Sequence, residues 1–66
     1  MDMEYLKYKM KILGYSRDQM AKLIGISMTS FYKRLTGEVD WCAKEMKIVK
    51  DVLNLESEEF NKVFGF

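Results

Sequence analysis

The chain has 66 residues, 48% of them hydrophobic, with a net charge of +1, no proline, no histidine and one cysteine. That length makes a single domain that buries only about 60% of its unfolded surface, so the core must take most of the large apolar side chains. Cys42 alone excludes an intrachain disulfide, the lack of histidine removes a zinc site and any histidine-assisted nucleophile, and no apolar run approaches the ~18 residues of a membrane span.

No enzyme, cofactor, metal or small-molecule ligand is expected from such a residue set. The first ten residues, MDMEYLKYKM, are too polar for a signal peptide, which makes a soluble cytoplasmic protein the expectation. Helix formers dominate and no segment alternates polar and apolar for long, so the fold class is all-α.

Five helices follow in chain order. Helix 1 runs from about Met3 to Leu13, with Asp2 as cap, Gly14 as stop and Leu6, Met10 and Leu13 as the inward stripe. Lys7, Lys9 and Lys11 fall mostly off that stripe and are expected in solvent. Helix 2 starts at a capping box, Ser16 with Gln19, with Tyr15 and Met20 placed as a hydrophobic staple. Its apolar side is Met20, Ala21, Leu23 and Ile24, and Gly25 ends it. Helix 3 is capped by Ser27 and ended by Gly37. Phe31 and Leu35 point inward, which leaves Met28, Thr29, Tyr32, Lys33 and Thr36 on the opposite side.

Helix 4 follows the loop Glu38–Trp41, capped by Asp40 or Cys42, with Met46, Val49, Val52 and Leu53 as its stripe and Asn54 as its stop. Helix 5 starts at Ser57 with Glu58 and Glu59 in its first turn, where the helix dipole favours acids. Phe60, Val63 and Phe64 share one face, and Gly65 closes the helix.

Charge divides the chain. Residues 1–37 carry seven basic and three acidic side chains, a net +4, and residues 38–66 carry four lysines against seven acids, a net −3. A basic half fits a polyanionic partner on one face.

The most informative stretch is Ser16–Gly37, SRDQMAKLIGISMTSFYKRLTG. Two helices that cross closely need a small residue at the crossing, a glycine at the reversal and an apolar residue to close the wedge. Ala21, Gly25 and Phe31 supply these, which is the geometry of a helix-turn-helix. MAKLIGIS followed by FYKRLTG, with Ala21, Gly25, Ile26, Ser27, Phe31 and Gly37 at matching spacing, resembles the phage repressor and Cro family, the XRE-type helix-turn-helix proteins. The resemblance covers nearly the whole chain, including the tail IVKDVLNLESEEF. Two positions depart from it. Arg34 stands where many members place an apolar core residue, so helix 3 is either slightly rotated or lays the Arg34 stem along the core. Cys42 stands where a threonine cap is common.

The resemblance implies a DNA-binding transcriptional regulator whose helix 3 enters the major groove of an operator. Met28, Thr29, Tyr32 and Lys33 are then the base-reading candidates. Lys33 would donate to guanine, and Met28 and Thr29 would pack on a thymine methyl. Arg17 at the start of helix 2, with Ser27, Arg34, Thr36 and Lys9, are candidates for the phosphate backbone. The plainer reading of each is a solvated side chain, or for Ser27 a cap alone. Trp41 is expected as a lid beside helix 3, with a phosphate contact through its indole N–H as the sharper alternative. Cys42 is expected as a small, buried or half-buried residue near a helix start. Phe60, Val63, Phe64 and Phe66 form an apolar cluster that places a homodimer contact in the C-terminal half, unless the cluster simply closes a monomer. The length suits a complete Cro-like protein. A small protein-interaction module or antirepressor, which binds another regulator and no DNA, is the alternative that the acidic second half keeps open.

Overall fold

All five expected helices form, and a computed structural model describes residues 1–66 throughout: α1 (Met3–Leu13), α2 (Arg17–Ile24), α3 (Met28–Thr36), α4 (Ala43–Val52) and α5 (Ser57–Phe64). The fold is all-α, with no strand, and no helix is long and apolar enough to cross a membrane.

The helix starts are set by acceptors for the free N–H groups of each first turn. Asp2 Oδ1 accepts from Tyr5 N–H at 3.0 Å. Ser16 and Gln19 exchange both bonds of a capping box, and Ser27 Oγ accepts from Ser30 N–H at 3.1 Å. In α4 and α5 a glutamate reaches back instead. Glu45 accepts from Cys42 N–H and Glu59 from Glu56 N–H, so Cys42 rather than Asp40 caps α4. It lies exposed, not buried or half-buried as expected, at the N-cap position ahead of the first packed turn of α4.

The reversal between α2 and α3 depends on Gly25, whose φ of 87° lets its own N–H and that of Ile26 both donate to Ala21 O. Asn54 performs a similar function after α4 at φ 52°, a conformation asparagine tolerates better than most side chains.

Every helix feeds one core. Leu6 and Met10 come from α1, Met20, Ala21 and Ile24 from α2, Phe31 and Leu35 from α3, Val49 from α4, and Val63 and Phe64 from α5. Trp41, Leu53 and Leu55 fill it from the connections. α2 packs on both α3 and α4, and α1 packs on α5. The Asp2 N–H donates to Val63 O at 3.0 Å, so main chain as well as side chains joins α1 to α5.

Four apolar positions expected inside need correction. Leu13 and Leu23 are exposed. Beyond Leu13 the chain turns back, Tyr15 N–H donating to Met10 O, and the half-buried Tyr15 packs on the core at that end. Leu23 lies about 100° round its helix from Ile24 and clears the core. Met46 and Val52 are half-buried, and the unanticipated Leu55 is buried instead.

Trp41 is the lid expected beside α3. Its ring stands edge-on to Phe31 at 6.1 Å and to Phe64 at 5.4 Å, so three aromatic rings link α3 to α5. The indole Nε1 is buried and makes no hydrogen bond, which rules out an open phosphate contact through it. Trp41→Phe removes that unsatisfied donor along with some apolar area. It is expected to change stability by no more than about 1 kcal/mol, against a loss of about 3–5 kcal/mol for Trp41→Ala, both read from urea unfolding.

Lys9, expected in solvent, is only 17% exposed and pairs with Glu59 at 3.1 Å, because α5 lies along that side of α1. The Tyr5 hydroxyl donates to the same Glu59 carboxylate. The Glu56 N–H, the Tyr5 hydroxyl and Lys9 together hold Glu59 down at about 2, and the bond to Glu59 raises Tyr5. An unfolded glutamate titrates near ~4.3. The ionised form therefore stabilises the fold fully above that pH, and the contribution disappears as pH falls toward about 2. Unfolding free energy is expected to decline between about pH 5 and about pH 2, and Glu59→Gln to flatten that decline in urea melts taken across the range.

Candidate nucleic-acid interface

Burial of Phe31 and Leu35 fixes which side of α3 faces out. Thr29, Tyr32, Lys33 and Thr36 lie exposed away from the core, and Met28, two turns before Leu35 and so in line with it, is 44% exposed at the helix start. Met28 and Tyr32 are large side chains that the core leaves about half exposed.

The structure brings Arg17 to this face. Its guanidinium stands over the Tyr32 ring, 5.8 Å from the centroid, a cation–π distance. The start of α2 and the middle of α3 thus form one surface. Neither Arg17 nor Lys33 has an acidic partner, whereas the neighbouring Lys22 is paired with Asp18 at 3.1 Å.

The ends of the face are held by internal bonds. Ser27 Oγ caps α3 and donates to Ser30 Oγ at 3.0 Å, so its proton is engaged. The Thr36 hydroxyl donates to Lys33 O at 3.1 Å. That carbonyl also accepts from Glu38 N–H and Val39 N–H, which fixes the last turn of α3 and the main chain that carries Lys33.

Arg34 and Lys9 are not part of this face. Arg34 Nε donates to Glu45 Oε1 at 2.9 Å and Nη1 to Ser30 O at 3.0 Å, with both side chains largely shielded from solvent. Neither a rotated α3 nor a guanidinium free for phosphate is found, because Phe31 and Leu35 keep the register and Glu45 takes the charge. Lys9, on α1, is held by Glu59 of α5. Sequence reading did not anticipate Glu45 as the partner of Arg34. The signal was Arg34 itself, since a cation at a core-facing position requires a buried counter-charge. The Arg34 guanidinium beside it, helped by the Cys42 N–H against the opposing effect of burial, holds the Glu45 carboxyl below the usual range.

The C-terminal cluster is mostly core. Val63 and Phe64 are buried and Phe60 is half-buried, while Phe66 is 73% exposed and stacks on Phe60 at 5.8 Å. Phe60 and Phe66, with Ala43 and Met46, line an open groove of about 450 Å³ edged by Lys47, Lys50 and Asp51. No group of histidine, cysteine, aspartate or glutamate side chains is arranged to hold a metal ion.

Comparison with protein-family models, curated proteins and solved structures returns no match for this chain.

Arg34→Met strands the Glu45 charge in a largely buried position. It is expected to lower stability by about 3 kcal/mol in urea unfolding, whereas a solvent-facing Arg34 would give a change within about 0.5 kcal/mol.

Proposed function

We propose that the chain is a sequence-specific DNA-binding transcriptional regulator of the Cro/repressor kind, with α2 and α3 acting as its helix-turn-helix and α3 reading the major groove. The observation that carries this reading is the Arg17 guanidinium over the exposed Tyr32 ring, next in sequence to Lys33: two cations without acidic partners at one exposed stretch of α3. Desolvated against DNA, Lys33 donates to guanine O6 and N7, Thr29 and Met28 pack on a thymine methyl or bond a base edge, and Tyr32 reaches a base or a phosphate. Arg17 binds backbone phosphate at the α2 N-terminus, where free N–H groups favour an anion. Ser27 and Thr36 flank it as weaker phosphate donors once their hydroxyls turn outward.

One copy extends at most 27 Å, less than the ~34 Å between half-sites one helical turn apart. Two copies therefore occupy one operator, and the C-terminal half, where Phe66 stands open, is the proposed meeting surface. The regulator needs no cofactor in this reading.

Selection of binding sites from random duplex DNA tests the proposal. A defined, two-fold symmetric site is expected to be enriched. On it, Lys33→Ala is expected to weaken binding by roughly 1–3 kcal/mol and relax one base position, while Arg17→Ala weakens all sequences alike and lowers the salt dependence. No enrichment at ~50 mM salt, where the electrostatic contribution is strong, would overturn it in favour of a protein-interaction module.

A further inference from the structure

α1 carries a second apolar stripe that the core does not use. Leu6 and Met10 point inward, and Tyr5, Tyr8 and Ile12 recur at i, i+3 and i+7 on another side. Tyr8 and Ile12 are 55% and 54% exposed, although each is large and apolar. Tyr5 is half-buried, its ring is 5.9 Å from that of Tyr8, and Lys62 lies against it at 4.4 Å. The stripe is thus a continuous surface running from the α5 side of α1 outward.

Charge along one edge of the stripe identifies what covers it. Glu4 and Lys11 lie seven residues apart, two helical turns, on the same edge. The other edge, at Lys9, is closed by its pair with Glu59. Glu4 pairs only with Lys7 on its own helix, with its side chain 85% exposed, and Lys11 has no acidic partner. A two-fold axis across Tyr8 sets a second α1 antiparallel to the first and keeps each edge facing its own copy. Glu4 of one chain then lies opposite Lys11 of the other, Tyr5 opposite Ile12, and Tyr8 opposite Tyr8. These pairings agree to within about one residue rise, ~1.5 Å. A parallel arrangement would instead set the Glu4–Lys11 edge against the occupied Lys9 edge.

We propose that this face of α1 is a contact between two copies of the chain, packed antiparallel about Tyr8 with two reciprocal Glu4–Lys11 ion pairs. It is distinct from the C-terminal surface marked by Phe66 and does not rest on the DNA reading. A face this short buries less than the ~1,200 Å² of a standard interface, so the contact is weak in solution and gains strength where copies are held side by side.

Sedimentation equilibrium from about 10 µM to about 1 mM at low salt, the range a small interface demands, reads the contact directly. The full chain is expected to self-associate. Tyr8→Ser with Ile12→Ser is expected to weaken that association at least about tenfold. Glu4→Lys and Lys11→Glu are each expected to weaken it roughly five- to tenfold, and the two together to restore it to within about twofold. Phe66→Ser is expected to leave the association sensitive to both charge reversals. Thermal melts confirm that each variant folds, as substitutions at exposed positions permit. Absence of association across the range, or association indifferent to the α1 changes, would overturn the proposal.

Discussion

One carboxylate oxygen, Glu45 Oε1, ties the charge of α3 to the start of α4. It accepts from Arg34 Nε at 2.9 Å and from Cys42 N–H at 3.1 Å, so a single atom caps α4 and takes the charge of α3. Arg34 in turn donates to Ser30 O, which ties the guanidinium into its own helix. Burying a cation is tolerated only when its hydrogen bonds are met and its charge is balanced, and here both conditions depend on Glu45. The pair agrees with the register that Phe31 and Leu35 set: with Arg34 committed inward beside them, Thr29, Tyr32 and Lys33 are left facing solvent. Trp41 reinforces this from the connection by packing between Phe31 and Phe64.

The division of charge then acquires a structural meaning. Several cations of the chain are consumed internally or by short-range partners: Arg34 by Glu45, Lys9 by Glu59, Lys22 by Asp18 and Lys7 by Glu4. Arg17 and Lys33 remain uncompensated, and Arg17 is drawn to the outward face of α3 by the Tyr32 ring. A modest net charge therefore coexists with a pair of uncompensated cations beside Tyr32, as Lys11, Lys44 and Lys50 are uncompensated elsewhere. Glu59 plays a comparable part at the opposite end, where its carboxylate gathers Tyr5 and Lys9 of α1 and caps α5.

What was legible in the sequence is local. The caps at Asp2, Ser16 and Ser27 act across three residues, so the residue types alone locate the helix starts. The glycine stops and Asn54 are equally local, since they require only a left-handed backbone. Phe31 and Leu35 are readable from their i, i+4 spacing within α3. The features that escaped depend on chain segments far apart. Glu45 meets Arg34 eleven residues away, and Glu59 meets Tyr5 fifty-four residues away, and no periodicity encodes either meeting. Leu55 sits alone between Asn54 and Glu56, so no stripe marks it as core. Leu13 and Leu23 failed for the converse reason: an apolar residue near a helix end is buried only if a neighbouring element reaches it. Of the proposed DNA-contacting residues, the α3 face followed from register, and the association of Arg17 with Tyr32 required the packing of α2 on α3.

The most direct measurement is a ¹H–¹⁵N NMR titration of the chain with a short mixed-sequence duplex at ~50 mM salt, where sequence-independent binding is strong enough to see. The predicted result is a set of shifts confined to Arg17 and to Ser27 through Lys33, fading as salt is raised. Shifts centred on the groove between α4 and α5, or none at all, would contradict the assignment of α3 as the nucleic-acid-binding helix.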